Sequence, residues 1–129
     1  MLALCRKRLP QGTWIEADMR GLHLGRRFGA ILAWDSFFHL DAGDQRAMFP
    51  VFKAHIAPHG LLLFTSAPTA GEAVGDWYGN RLFHASLDPD EYRSLLRASG
   101  FEVLRYQAND PECGGHTVWL AQSRELQTV

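Results

Sequence analysis

The chain has 129 residues, the size of one domain, and 47% of them are apolar, enough for a packed core. Its formal net charge is −1, and its densest basic run, Arg6-Lys7-Arg8, is three charges long, so a phosphate backbone is not the expected partner. Cys5 and Cys113 make no disulfide framework and no C-x-x-C pair, and no apolar run reaches the roughly 20 residues that span a bilayer. A reduced, cytoplasmic setting and no membrane contact follow as expectations.

Residues 1–9 place Leu2, Leu4, Cys5 and Leu9 near helical spacing, and Pro10-Gln11-Gly12 ends that helix. Thr13 to Ala17 is a short run with β-branched and aromatic residues and reads as a strand. Asp18 to Arg27 is a polar connection. Phe28 to Trp34 is a continuous apolar run, the pattern of a strand covered on both faces. Asp41 caps a helix over 43–55, with a kink or break expected at Pro50.

Pro58-His59-Gly60 reads as a turn and Leu61 to Thr65 as a second buried strand. Ser66 to Ala85 shows no clear period and is expected to be a long loop, functional or mobile. Asp88-Pro89-Asp90-Glu91 is the clearest local signal: an N-cap, a proline at the first helical position and Glu three residues after the cap. Tyr92, Leu95, Leu96 and Ser99 line one face of that helix, and Gly100 stops it. Phe101 to Ala108 and His116 to Gln122 are strands joined by a short turn region, so that pair must be antiparallel. The order predicts one α/β domain over 1–129, its sheet mostly parallel with an antiparallel C-terminal strand pair.

Several segments carry a resemblance: Glu16-Ala17-Asp18-Met19, Phe28 through Leu40 (FGAILAWDSFFHL), Pro58 through Phe64 (PHGLLLF), and Leu95 through Val103 (LLRASGFEV). In this order they resemble the class I S-adenosylmethionine-dependent methyltransferases, Rossmann-like enzymes of the small-molecule type. The segments look like the stretch after that family's third strand, its fourth strand and following loop, the turn into its fifth strand, and its last helix and sixth strand. One departure stands out. The family opens with a strand, a G-x-G-x-G-like turn, a helix and a second strand ending in an acid, and the 129 residues contain no such turn. Residues 1–4 look like the helix after that acid. The resemblance thus implies a partial sheet lacking the first two strands, truncated at its N-terminus.

The resemblance assigns S-adenosylmethionine as cofactor and a small-molecule methyl acceptor as substrate. It gives Asp18 the adenine amino group and Met19 the adenine ring. Trp34, Asp35 and Ser36 fall at the C-terminal end of a buried strand, where open α/β sheets bind ligands. Trp34 has two readings, stacking on a ligand or packing in the core. His39 can take a proton from the acceptor or serve structurally. Phe38 borders the same pocket. Trp77, Tyr78, Phe83 and His84 either cover an apolar acceptor or pack on one another. His55, His59, Cys113 and His116 lack zinc-like spacing, and no metal is expected. Losing two strands bares the fourth, so a homodimer through that edge, or a third strand moved beside the fourth, is expected. The alternative to an enzyme is a non-catalytic fragment or oligomerising module, and the missing turn predicts impaired cofactor binding.

Overall fold

A computed structural model describes residues 2–124, apart from the side chain of Trp77. Helix α1 spans Leu2–Arg8 and strand β1 spans Phe28–Ala33. A 3-10 turn at Phe37–His39 leads into α2, Ala42–His55, and β2, Ile56–Ser66. Strands β3 (Gly71–Trp77) and β4 (Asn80–Ser86) form a hairpin, followed by α3, Pro89–Ala98. Strand β5 (Phe101–Asp110) and β6 (His116–Ser123) flank a 3-10 turn at Pro111–Cys113.

The main sheet has the order β1-β2-β6-β5. β1 and β2 are parallel, and β6 is antiparallel to both β2 and β5, so three of the four strands run one way. This is the expected mixed sheet, with its C-terminal pair antiparallel. The reversal of β6 matters for the site. It sets Thr117 opposite Ser66, so β6 begins where the parallel strands end.

One face of the sheet meets α2 and α3. Leu62 and Phe64 of β2 lie opposite Ala121 and Trp119 of β6, and the Phe64 and Trp119 rings stack at 5.8 Å. Phe37 fills the centre, with ring centroids 5.3 to 6.2 Å from Phe64, Phe52, Phe49 and Tyr92. Met48, Phe49 and Phe52 enter from α2, and Tyr92 and Leu96 from α3. The caps form where the sequence places them. Asp41 accepts from Asp44 N–H and Asp88 from Asp90 N–H. Gly100 takes φ +83°, the left-handed geometry that ends α3. Glu91 turns away from the cap and pairs with Arg46 at 2.6 Å, joining α3 to α2.

Five expectations are corrected. Thr13 to Ala17 is not a strand: no described strand pairs with it, and the Trp14 indole donates to Leu9 O at 3.0 Å, folding the run back on the end of α1. No third strand therefore moves beside β1. β1 is not covered on both faces but lies at the sheet edge, with Leu32 66% exposed. α2 passes through Pro50 without a break, because Pro50 faces solvent while the buried Phe49 and Phe52 hold the helix down. The turn expected at Pro58-His59-Gly60 survives as a bulge within β2. Phe28 pairs with Ile56 and Ala30 with Leu61, and His59 takes φ +61°. The expected loop over 66–85 is mostly the β3–β4 hairpin. Tyr78 and Gly79 have φ +50° and +79°, the left-handed pair of a two-residue hairpin turn, with Tyr in place of the usual Asn or Asp.

A buried polar group fastens these parts together. Gln45, fully buried on α2, donates from Nε2 to Leu40 O at 2.9 Å and to Ala85 O at 2.7 Å. Its Oε1 accepts from the Tyr92 hydroxyl at 2.5 Å, and that hydroxyl accepts from Leu87 N–H at 3.1 Å. Gln45→Leu strands two carbonyls and loosens the phenol. Urea denaturation should show a loss of about 1–3 kcal/mol, and an unchanged midpoint would mean that water replaces the amide.

Candidate functional site

The site is built on the turn that leaves β1. Asp35 follows Trp34 with φ +49°, a left-handed conformation that few non-glycine residues adopt. Two contacts hold it. Its backbone N–H donates to Thr65 Oγ1 at 3.0 Å, and its Oδ1 lies 3.3 Å from His116 Nδ1. Trp34 presents its ring to His116 edge-on at 5.4 Å. Three strands thus converge on one carboxylate: β1 supplies it, β2 orients its backbone and β6 brings the imidazole.

A second cluster lies beside it. The rings of Phe38, His39 and His84 sit 4.8 to 5.0 Å apart. His39 Nδ1–H donates to Phe83 O at 3.0 Å, which leaves Nε2 of the neutral ring with its lone pair. The residues after the two histidines, Leu40 and Ala85, are those whose carbonyls Gln45 binds. The histidine pair is therefore positioned from inside the core.

Two open cavities border these clusters. One, of about 550 Å³, is walled by Phe38, His84 and His116 together with Ser66, Thr69 and Glu72. The other, of about 670 Å³, is walled by Asp18, Met19, Arg20, His39, Asp44 and Phe83, among others. There the Asp18 carboxylate accepts from Arg20 NH2 at 2.7 Å, and Arg20 NH1 reaches Asp44 at 3.1 Å. The Arg20 hydrogen bonds hold the Asp18 carboxyl at about 2, below its usual 3.8. Met19 is half-buried and packs against the core.

The structure therefore brings Asp18, Met19, His39 and Phe83 to one cavity, and Phe38 and His84 to the other. Ser36 instead faces an apolar groove beside β1, with Met19, Met48 and Phe52. Trp77 pairs with Asn80 next to the hairpin turn, and its side chain lies outside the described set. Tyr78 stands at the hairpin tip, 87% exposed, and lines neither cavity. His116 and Thr65 were missed as site residues. The signal for His116 was present: a histidine opening an antiparallel return strand must land beside the ends of the parallel ones. Among the described residues, no group of three or more His, Cys, Asp or Glu is placed to hold a metal, and no helix is long and apolar enough to cross a membrane.

This architecture has close counterparts among solved structures. An amino pentose methyltransferase of calicheamicin biosynthesis from Micromonospora echinaspora, solved with S-adenosylmethionine bound, superposes with a TM-score of 0.71 at 20% identity, covering 94% of this chain and 69% of that one. A glycopeptide N-methyltransferase in complex with S-adenosyl-L-homocysteine gives a TM-score of 0.69 at 21% identity, covering 97% and 69%. The chain has the fold of the S-adenosylmethionine-dependent methyltransferases. In sequence it is 39% identical over 66 residues to a dTDP-3-amino-3,6-dideoxy-alpha-D-glucopyranose N,N-dimethyltransferase of Streptomyces fradiae. That match takes in 49% of this chain and spans about a quarter, 26%, of the relative. No protein-family model matches the chain.

The Asp18–Arg20 pair gives a direct test of the cavity that these two residues help to wall. Because pairing lowers the Asp18 pKa, its contribution to stability is present above pH 3.8 and is lost as pH falls through about 2. An NMR titration of the Asp18 carboxyl carbon should give a midpoint near 2, rising toward 3.8 in Arg20→Met. A wild-type midpoint near 3.8 would show that the pair does not form in solution.

Proposed function

We propose that these residues form the acceptor side of an S-adenosylmethionine-dependent methyltransferase that acts on an amino group of a small molecule. The observation carrying this reading is the convergence of strained Asp35, Trp34, His39, His84 and His116 at the C-terminal ends of β1 and β2, on a methyltransferase fold. The amine is supported by the relatives, two of whose names specify N-methylation. When bound, S-adenosylmethionine supplies a methyl group on a sulfonium, already a good leaving group, so alignment is the protein's main contribution.

The residues divide the work. Asp18 and Met19 border the adenine, although Arg20 already occupies much of the Asp18 carboxylate. Trp34 and Asp35 border the methyl donor, while Ser36 faces the apolar groove beside β1. Phe38, Phe83 and His84 serve the acceptor. His39 Nε2, with its lone pair set by the Phe83 carbonyl, takes the proton released from the amine. The residues present fit one end of the cofactor. The 129 residues hold no G-x-G-x-G turn for the other, so by themselves they bind it weakly. The free Cys5 and Cys113 suit a reducing cytoplasm.

The bare edge of β1 favours a second reading, a non-catalytic module that self-associates as a homodimer through that strand. NMR titration of the chain with S-adenosylhomocysteine separates the two. The methyltransferase reading expects shifts centred on Asp18, Met19 and Trp34 to Ser36, saturating at about millimolar ligand. Shifts elsewhere, or none, sink it, and low-micromolar binding removes the need for the missing turn. Light scattering that reports a monomer at every concentration rules out the second reading.

A further inference from the structure

Away from these clusters, at the other end of the sheet, positive charge gathers. β1 and β2 begin there at Phe28 and Ile56, β5 begins at Phe101, and β6 ends at Ser123. Between these ends and the C-termini of α2 and α3 lies a cavity of about 220 Å³. Its wall carries Arg27, Lys53, Arg97 and Arg124 together with Ser99 and Ser123, and among the described residues no Asp or Glu. The sequence as a whole has 14 acidic and 13 Lys and Arg residues, so a hollow walled by four cations and, among the described residues, no carboxylate does not follow from composition.

Helix capping accounts for part of this. Lys53 and Arg97 fall in the last turns of α2 and α3, where a cation offsets the helix dipole. Arg27 NH1 donates to Lys53 O at 3.0 Å and to Ile56 O at 2.9 Å, closing the end of α2. These two bonds use both NH1 hydrogens. They lock the guanidinium in place and leave the three N–H donors of Nε and NH2 uncommitted by either bond. Capping does not account for Arg124. Its backbone N–H donates to Gly100 O at 2.9 Å, which brings a fourth cation to the same hollow. Like charges around one cavity repel, and an anion seated among them removes that repulsion.

We propose that this basal hollow binds a phosphate group, as inorganic phosphate or as a small phosphomonoester. Several cations approaching from different elements suit a tetrahedral anion with oxygens on all sides better than a planar carboxylate, which one arginine fork satisfies. The hollow lies at the opposite strand ends from Trp34 and His116, so the assignment does not depend on methyl transfer.

The test is an NMR titration of the 129-residue chain at pH 7.5 with inorganic phosphate, with glycerol 3-phosphate, and with sodium chloride at matched ionic strength. Saturable shifts are expected at the Ser99, Gly100, Ser123 and Arg124 amides with one or both phosphates, and the tighter of the two identifies the form bound. Arg124→Gln should weaken binding about tenfold and leave the Trp34–His39 amides unmoved. Adding Arg27→Gln should weaken it further. Linear shifts that chloride reproduces overturn the proposal, as does unchanged affinity in Arg124→Gln, a variant that removes no capping bond and so tests the site even if Arg27→Gln unfolds.

Discussion

The amide of Gln45 is the point on which the arrangement of the site depends. It is fully buried, and its donors and acceptor serve three different segments: the end of the 3-10 turn, the end of β4 and the phenol of α3. The bonds to Ala85 O and to the Tyr92 hydroxyl are buried, so leaving either unmade would carry its full desolvation cost. The carbonyls it holds follow His39 and His84 by one residue, and the 4.9 Å between those rings is thereby fixed from the core. The same amide explains why a lone two-stranded hairpin can persist, since two strands alone are at best marginal in water. β4 is fastened at Ala85 by Gln45, at Leu87 by Tyr92, and at Ser86 through its hydroxyl to Ala67 O.

A second constraint is the direction of β6. Inserted antiparallel between β2 and β5, it delivers its first residue to the C-terminal end of the sheet, where the parallel strands release their loops. His116 then meets Asp35 although 81 positions separate them in sequence (116 − 35). Asp35 can keep a left-handed backbone because Thr65 takes its N–H and the imidazole faces its carboxylate. Strain of this kind persists only where surrounding contacts over-determine the residue.

These two constraints also separate what the sequence discloses from what it hides. Signals with local causes were legible: Asp41 and Asp88 cap their helices, Gly100 ends α3, and the short connection after Ala108 makes the last strands antiparallel. Signals whose meaning depends on a distant partner were not. Thr13 to Ala17 has strand composition but nothing among the described residues to pair with, and strand propensity measures fit to neighbours rather than a backbone preference. The Tyr78-Gly79 turn hid because tyrosine is not a usual left-handed residue. Phe28 to Ala33 has the run of a buried strand, yet Leu32 lies in the open because burial is a property of the sheet's order, which β1 terminates.

That edge position raises the question of what holds β1 in place with a ladder on one side only. The answer lies at its two ends. Before it, Arg27 binds the carbonyls of Lys53 and Ile56, where α2 passes into β2. After it, Asp35 N–H binds the Thr65 hydroxyl near the end of β2. Both pins run to β2 or to the junction that feeds it, so the strand cannot slip along its neighbour without breaking one of them. A one-residue slip would also turn every side chain of β1 to the opposite face. The lower pin is the guanidinium that helps wall the basal hollow, and the upper pin is the backbone of the carboxylate that faces His116. The register of one edge strand therefore ties the cationic end of the molecule to the end that carries the candidate site.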